Sequence, residues 1–560
     1  MRRLALPAGV LVVLGGAAVT VAVAQAPTGG RVLHEDLPGP GDGVRTPQVG
    51  ESGEGLNPAG FAAGDKVLAE PKMDSQGAKE PVYGRAGAAT DRRTEDRPDL
   101  NTSADPTLHY VSVFDPDVVP FKRNGTYDTV TPDYTMVLRS RATTDVPVGG
   151  QTRLDRDRFW GDLWVELSPG SDVALPSVAP DMRILSYRTD PAGVRLTFSR
   201  DGGDNFYVRS DDPAVAGKYH LVFFADADGR YFAPALPTGP RLTPRRVSAL
   251  APPEVRPALP DGVRQAAQRT LDQLALDPDQ ELGVVFNRLV HYFRGFEAKP
   301  APTPSGDIYR DLCDSQAGVC RHRSFAFMVT ANAVGIPTRF VYNEAHAFVE
   351  VWFPERGWQR IDLGGAALRM EIENADGKSR HVPRADDPFA KPEPYLQGGT
   401  NYSALQGDVR GLSDQQLAEW RKKPGETPAS GDFDPADAPP VDDSAGPIGP
   451  DPGLPPRVAD PRKLTPRVVV TRWDDVGYRG ERLTVSGLVD VGGRPLADRP
   501  IDVFLASRGG VDSILVGRGV TDGTGEFAIE CDLPATLDLK AYEVYASTRD
   551  DARFNAAISD

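Results

Sequence analysis

Two long stretches that are poor in large apolar residues interrupt this chain and limit how it can fold. Residues 25–106 are dominated by Gly, Pro, Ala, Asp, Glu and Arg, and residues 424–464 are rich in Pro and Asp. Such segments bury too little apolar surface to offset the conformational entropy lost on folding. We therefore expect residues 25–106 to be disordered and residues 424–464 to be an extended linker.

The rest of the chain divides into three regions with different patterns. At 560 residues the chain is too long for one hydrophobic core. Residues 107–250 contain short alternating runs such as "YHLVFFA", which are typical of strands, whereas residues 251–423 begin with helical periodicity. Short strands return in residues 465–560. The predicted fold class is multidomain α+β, with a β-rich N-terminal domain, an α+β core and a C-terminal β-sandwich.

The N-terminus has the layout of an export signal. Arg2 and Arg3 precede an apolar run from Leu4 to Ala24, which ends in the small-residue pattern of a cleavage site. Residues 1–24 are predicted to be a signal peptide, and the mature protein is expected in the periplasm or outside the cell, without membrane insertion. The alternative is an uncleaved N-terminal membrane anchor, because the run is nearly long enough to span a bilayer.

The charge balance and the histidines argue against several classes of partner. Acidic residues outnumber basic ones by 79 to 63, giving a net charge of −16, which disfavours a nucleic-acid partner. The seven histidines are scattered, and no pair has the spacing of zinc ligands. We expect neither a metal nor another cofactor.

Two helices are predicted at the start of the α+β core. The first begins at Asp261 in "DGVRQAAQRTLDQLAL". For the second, Asp277 is the predicted N-cap, Pro278 the first helical residue and Gln280 the partner in a capping box. Apolar residues at helical spacing follow, so this second helix is expected to bury one face.

Cys320 has the sequence environment of a reactive thiol. The cysteines are Cys313, Cys320 and Cys531, an odd number that leaves at least one thiol free. Cys320 opens a predicted helix, whose unpaired N–H groups and dipole favour the thiolate, and Arg321 and Arg323 add positive charge. The N–H of Cys320 is also a candidate oxyanion donor.

The strands after this helix are predicted to bring a carboxylate beside an imidazole. "TRFVYNEAHAFVEVWFPERGWQRIDL" has the pattern of three strands, with turns near Asn343 and at Pro354–Gly357. His346 lies near the start of the second strand and Asp362 at the end of the third. Because the turn makes these strands antiparallel neighbours, Asp362 is expected next to His346, as a base and its orienting acid require.

This part of the chain resembles the core of the transglutaminase-like superfamily of papain-type cysteine enzymes. The shared motifs are a Gly-x-Cys opening a helix, a Gly-Ile-Pro-x-Arg turn, a His-Ala-aromatic-x-Glu strand and an Asp that follows a Gly-Trp turn. The residues that carry them are Gly318, Cys320, Gly335, Ile336, Pro337, Arg339, His346, Ala347, Phe348, Glu350, Gly357, Trp358 and Asp362. The sequence departs from the family at Phe348, where Trp is usual, and after Asp362, where "LGG" replaces the common Pro-Thr.

The resemblance implies a cysteine enzyme with Cys320 as nucleophile, His346 as base and Asp362 as orienting acid. The thiolate would attack a carboxamide or peptide carbonyl of a protein or peptide substrate, and water or an amine would release the thioester. The alternative function is a non-catalytic envelope scaffold or peptide-binding protein built on the same core.

Further predictions concern four residues near or outside this constellation. Gln316 is a candidate side-chain oxyanion donor by its position alone. His322 is expected to be solvated or to pack. Cys313 is expected to be inert or to form a regulatory disulfide with Cys320, and Cys531 to lie in a core.

The C-terminal region resembles bacterial immunoglobulin-like or carboxypeptidase-regulatory-like β-sandwiches. The resemblance rests on "YRGERLTVSGLVDVGGRPLADRPIDVFL" and the turn "TDGTGEF". It implies a spacer or adhesive unit with possible envelope partners.

Overall fold

A computed structural model of the chain describes short stretches before residue 100 and two long regions after it. The short stretches are residues 34–36, 48–49, 53–63, 66–73, 81–85 and 95–98. The long regions are residues 107–375, except 120, 154, 233, 240, 298–303, 345 and 365–368, and residues 462–559, except 474–475 and 508–510; residues 378 and 381 are also described. The predicted signal peptide and most of the predicted linker lie outside the described residues.

The helices of the described residues all belong to the middle of the chain, with strands before and after them. The helices are α1 (Gly229–Phe232), α2 (Pro244–Leu250), α3 (Asp261–Gln273), α4 (Leu282–Arg294), α5 (Ile308–Ser315) and α6 (Cys320–Val334). The strands before them are β1 (His34–Asp36), β2 (Gln48–Val49), β3 (Gly55–Leu56), β4 (Gly60–Ala63), β5 (Lys66–Ala69), β6 (Val82–Tyr83), β7 (Glu95–Asp96), β8 (Thr107–Val111), β9 (Phe114–Asp115), β10 (Gly125–Tyr127), β11 (Thr129–Val130), β12 (Met136–Val137), β13 (Thr144–Val146), β14 (Arg156–Leu167), β15 (Val173–Leu175), β16 (Arg183–Asp190), β17 (Thr197–Arg200), β18 (Phe206–Arg209) and β19 (Gly217–Asp228). The strands after them are β20 (Thr338–Tyr342), β21 (Ala347–Phe353), β22 (Gly357–Ile361), β23 (Arg369–Glu373), β24 (Arg467–Arg472), β25 (Arg482–Val491), β26 (Arg494–Pro495), β27 (Pro500–Ala506), β28 (Ser513–Val520), β29 (Glu526–Asp532), β30 (Glu543–Thr548) and β31 (Ala557–Ile558).

The α+β core is built on a four-stranded antiparallel sheet in the order β10–β20–β21–β22. Helix α6 packs on β20 and β21 and is enclosed on its other sides by α3, α4 and α5. Phe325, Phe327 and Met328 of α6 are therefore fully buried. Gly335 ends the helix in the left-handed conformation, with φ 103°, which glycine adopts without steric cost. The α+β character predicted for this core is confirmed.

Helix α4 starts later than the sequence suggests. It begins at Leu282, not at Pro278. Gln280 Oε1 accepts a hydrogen bond from the Asp277 N–H (3.0 Å), and Asp277 Oδ1 accepts one from the Asp279 N–H (2.8 Å). The capping side chains therefore close a separate turn just before the helix.

The boundary predicted between residues 250 and 251 is wrong, because elements from both sides form one core. β10, from the predicted β-rich domain, is an edge strand of the core sheet and pairs Gly125 with Tyr342. Val247 of α2 is fully buried in the same apolar cluster as α6. An uncovered β20 would leave a row of unpaired backbone groups, and β10 satisfies them.

The β-rich character predicted for residues 107–250 is confirmed. One sheet has the order β16–β19–β14–β6, with β9 also on β14, and a second has the order β13–β17–β18–β15. Their apolar faces share one cluster that includes Phe159, Phe198 and Phe223. Beyond Asp362 the chain returns to this region, where β23 pairs with β8 in parallel.

The prediction of disorder for residues 25–106 is wrong for the stretches that the structure describes. These stretches contain β1–β7. Phe61 is fully buried and stacks on Trp160 of the β-rich region, with ring centroids 5.6 Å apart. The few apolar residues in this segment need no core of their own, because they extend a core that the following residues build.

The C-terminal region consists of two four-stranded sheets around one apolar cluster. The sheets contain β24, β25, β26 and β29, and β27, β28, β30 and β31, respectively. Val485, Val503 and the buried Cys531 belong to the cluster. The immunoglobulin-like relationship stays a prediction.

This C-terminal unit also contacts the α+β core. Val511, in the loop between β27 and β28, is 1% exposed and belongs to the apolar cluster of the core. Next to it, Asp512 accepts a hydrogen bond of 2.7 Å from Arg356 in the β21–β22 turn. Among the described residues, no helix combines the length and the apolar character needed to cross a membrane.

Candidate active site

The structure places Cys320 at the first position of α6, as the sequence predicts. Val319 precedes the helix in extended conformation, and the thiol is partly buried. Burial by itself would raise the pKa of the thiol. Contact with the side chain and positive charge of His346, the Ala347 N–H and the charge of Arg321 outweigh this effect, so the pKa of Cys320 is lowered.

His346 and Asp362 lie together at the end of the core sheet. The distance from His346 Nε2 to Asp362 Oδ2 is 3.1 Å, and each residue is 3% exposed. The β21–β22 register pairs Val349 with Ile361, which brings the start of one strand beside the end of the other. The Gly364 N–H donates to Asp362 Oδ1 at 2.7 Å and fixes the carboxylate further.

The pKa of His346 is raised, whereas the pKa values of Cys320 and Asp362 are lowered. Burial lowers the pKa of His346, but the charge of Asp362 and the contact with Cys320 raise it to about 10. Burial also opposes ionisation of Asp362, yet the charge of His346 lowers the pKa of that carboxyl below its usual value. A raised imidazole pKa beside a lowered thiol pKa favours a thiolate–imidazolium pair.

The turn before Cys320 depends on close contact between Gly318 and His322. His322 is fully buried, and its Nδ1 accepts a hydrogen bond of 3.1 Å from the Val319 N–H. A Cβ on Gly318 would lie 2.4 Å from the Cβ of His322, and Gly318 has φ +149°. His322 therefore packs, which is the second of the two alternatives expected for it.

Replacing Gly318 with alanine is expected to destabilise the protein by about 2–3 kcal/mol, because steric overlap adds to the strain of positive φ. The substitution should also slow alkylation of Cys320, since the turn that presents the thiol must shift. Equilibrium denaturation and the rate of iodoacetamide labelling measure the two effects.

Gly306→Ala is the matched control. Gly306 has φ +95°, but an added Cβ there would meet no atom within 4 Å. This control should lose only the strain energy, about 1 kcal/mol, and label Cys320 at the normal rate. Equal effects of the two substitutions would contradict the role assigned to the contact with His322.

Two predictions about residues near Cys320 change with the structure. Arg323, expected to add charge at the thiol, is 2% exposed and instead donates to the Leu363 carbonyl at 2.8 Å. Gln316, the candidate oxyanion donor, lines a cavity of about 510 Å³ together with Tyr292 and His291, and Cys320 is not among the residues that line it. Neither observation supports the function expected for these side chains.

Cys313 differs from Cys320 in its burial and in the pKa of its thiol. It is 1% exposed, and burial raises its pKa to about 12, so it carries little thiolate near neutral pH. All three cysteines are free. These features favour the inert alternative over a regulatory disulfide.

Several residues that fix the site were not identified from the sequence. Arg294 donates to the Asp362 carbonyl at 2.7 Å, and Asn343 Oδ1 accepts from the His346 N–H at 2.8 Å. For Asn343 a signal existed, because an Asn in a turn commonly bonds the backbone two or three residues later. Arg294 carries no such local signal. Among the described residues, no group of three or more His, Cys, Asp and Glu is arranged to hold a metal ion.

Comparison with known proteins identifies the family that the segment with Cys320, His346 and Asp362 resembles. Residues 273–363 match the family model of the transglutaminase-like superfamily. This segment contains α4, α5, α6 and β20–β22. The chain therefore contains a transglutaminase-like domain.

One curated relative is similar over part of that region. A stretch of 123 residues is 28% identical to "Protein-glutamine gamma-glutamyltransferase" of Pseudomonas aeruginosa, covering 19% of this chain and 17% of that protein. The chain thus spans about a sixth of the length of this relative.

One solved structure is also similar. "The Crystal Structure of a Putative Cysteine Protease from Cytophaga hutchinsonii to 1.9A" matches with a TM-score of 0.19 and 16% identity, covering 43% of this chain and 74% of that one. A score this low supports no conclusion about fold or activity.

Proposed function

We propose that this chain is a cysteine enzyme that cleaves or transfers the acyl group of an amide in a protein or peptide substrate. The observation that carries the proposal is the position of His346, which contacts Asp362 at 3.1 Å and interacts with the Cys320 thiol. Opposite pKa shifts of the thiol and the imidazole are what a nucleophile–base pair needs.

The proposed reaction proceeds through a thioester. The Cys320 thiolate attacks the carbonyl carbon, and the oxyanion that forms is stabilised by N–H groups at the start of α6. His346 gives its proton to the leaving nitrogen as the C–N bond breaks. It then takes a proton from the incoming water or amine, whose attack breaks the C–S bond and releases the thiolate. Asp362 orients the imidazole throughout.

The acceptor distinguishes two versions of this activity. Water gives a protease or amidase, whereas an amine gives a protein-glutamine acyltransferase. The name of the Pseudomonas relative favours the second, with a glutamine carboxamide as acyl donor. Incubation of the protein with a glutamine-containing peptide and a primary amine would separate them. Transamidation incorporates the amine as ammonia leaves, amidase activity releases ammonia without incorporation, and protease activity gives two shorter peptides and no ammonia.

We also propose the cellular setting and the accessory units. Residues 1–24 would direct export to the periplasm or the extracellular space, or anchor the chain at its N-terminus. The β-rich region would come first, then the α+β core, and the C-terminal unit would be an immunoglobulin-like sandwich available to envelope partners. Export is supported by the sequence pattern alone.

The proposed function is tested by the pH dependence of iodoacetamide labelling at Cys320. In the native protein labelling should be fast well below pH 8.5, the pKa of an ordinary thiol, because the thiolate exists beside the imidazolium. The imidazolium is lost only as the pH rises through about 10, the raised pKa of His346. His346→Ala should move the onset of labelling to or above pH 8.5. Mass spectrometry of the labelled peptides separates Cys320 from Cys313 and Cys531.

The outcome decides between enzyme and scaffold. Slow and equal labelling of the native protein and His346→Ala would contradict the enzyme and leave the non-catalytic scaffold or peptide-binding protein. Cys313, with its raised pKa, is the internal control and should label slowly in both proteins.

A further inference from the structure

The loop that carries His346 is held by a segment more than 200 residues earlier in the chain. Asn343 is 8% exposed. Its Oδ1 accepts from the His346 N–H at 2.8 Å, and its Nδ2 donates to the Lys122 carbonyl at 2.9 Å and to the Val119 carbonyl at 3.3 Å. One amide therefore bonds the backbone of the proposed base and the backbone of the β-rich region.

A buried ion pair ties the same loop to the same segment. Lys122 Nζ lies 3.0 Å from Glu344 Oε1, and the side chains are 1% and 12% exposed. Lys122 also donates to the Val111 carbonyl at 3.1 Å. Because the charged end of Lys122 is bound on both sides, it restrains Glu344, which lies two residues before His346.

His346 lies in the turn before a regular strand, so its position depends on these contacts. β21 begins at Ala347, so His346 precedes the regular strand. The Asn343 N–H donates to the His346 carbonyl at 2.9 Å, which closes the turn that Asn343 Oδ1 also spans. The turn is therefore fixed to Val119 and Lys122, through the two Nδ2 hydrogen bonds of Asn343 and through the ion pair of Lys122 with Glu344.

We propose that Asn343 is a positioning residue for His346, and that Val119 and Lys122 thereby complete the active site. The inference rests on the proposed function. A shift of about 1 Å in a reacting group can cost about 100-fold in rate. Loss of the Asn343 amide frees the turn, so the imidazole spends less time beside the thiol. The thiolate is then less stabilised, and its apparent pKa rises.

The test is the pH profile of Cys320 labelling in the full chain carrying Asn343→Ala. The apparent pKa of labelling should rise by about one unit, which is about a tenfold loss of thiolate at intermediate pH. With an amide substrate, kcat should fall about tenfold or more, while KM changes by less than about twofold, because substrate binding groups are untouched.

Asn332→Ala is the matched control. Asn332 is also buried, at 5% exposure, and its amide makes two backbone hydrogen bonds, to the Thr338 carbonyl (2.8 Å) and from the Thr338 N–H (3.0 Å). It lies near the other end of α6. This variant should lose comparable stability and keep the native pH profile.

A second variant keeps the test decisive if Asn343→Ala does not fold. Glu344→Gln removes the charge that Lys122 holds, and it should shift the labelling profile in the same direction by a smaller amount. Native profiles in the folded variants would overturn the inference and leave the proposed function intact. A native protein whose Cys320 labels like an ordinary thiol would overturn the proposed function and, with it, the positioning role.

Discussion

Cys320→Ala is expected to abolish turnover of an amide substrate while leaving the protein folded. Without the thiolate no thioester forms, and removing a nucleophile commonly costs on the order of 10³-fold or more in kcat. The thiol is only partly buried, so the lost methyl-sized volume should cost little stability. Release of ammonia from a glutamine-containing peptide measures the activity, and thermal unfolding checks the fold.

Cys313→Ala is the control, and it should lose stability but keep activity. Cys313 is 1% exposed and packs in the apolar cluster of the core, so its truncation should cost about 1 kcal/mol of stability. Activity should stay near the native level. Substantial activity in Cys320→Ala would exclude Cys320 as the nucleophile of the reaction. A complete loss of activity in a folded Cys313→Ala would contradict the inert role expected for Cys313.

Glu350→Gln is expected to destabilise the protein by about 3 kcal/mol, because it leaves buried cations without a carboxylate. Glu350 is fully buried and accepts hydrogen bonds from Arg123 Nε (2.7 Å), Arg339 Nε (2.5 Å) and the Tyr231 hydroxyl (2.6 Å). Glutamine has nearly the same shape but no charge, so Arg123 loses the counterion at 2.7 Å and Arg339 keeps only Asp204, at 2.9 Å. Equilibrium denaturation followed by tryptophan fluorescence measures the change.

Glu530→Gln is the control for this ion pair. Glu530 lies 3.1 Å from Arg482, but both side chains are about two-thirds exposed, at 70% and 67%. Exposed pairs contribute little because water screens them, so the denaturation midpoint should not move. If the denaturation midpoint of Glu350→Gln is as high as that of Glu530→Gln, the buried carboxylate does not hold Arg123 of the β-rich region to the core sheet.

The candidate site could be predicted from the sequence because its geometry is local. The position of Cys320 depends on where one helix begins, and Gly318 marks the turn that the contact with His322 requires. The relation of His346 to Asp362 follows from one tight hairpin, in which the turn length fixes the register. Both features are contained in fewer than 50 consecutive residues.

The surroundings of the site could not be predicted, because they depend on contacts between distant parts of the chain. Nothing near Arg123 shows that its partner is Glu350, 227 positions later. The composition of residues 25–106 predicts disorder because these residues cannot build a core of their own. In the structure, however, Phe61 is buried against Trp160 of the β-rich region. Arg323 looks like a cation for the thiol from its spacing, yet its side chain bonds the Leu363 carbonyl.

The pairing of β10 with β20 has a consequence for how this protein folds during synthesis. The N-terminal partner, Gly125–Tyr127, is made long before Thr338–Tyr342, and the β21–β22 hairpin is made later still. Closing so long a loop is entropically costly and slow, so a β-rich region that folds first would give the hairpin a template on which to find its register. Recombination that joins a foreign N-terminal region at residue 250 would remove that template. The structural unit that contains Cys320, His346 and Asp362 is therefore discontinuous in the sequence, and it includes the strand at 125–127.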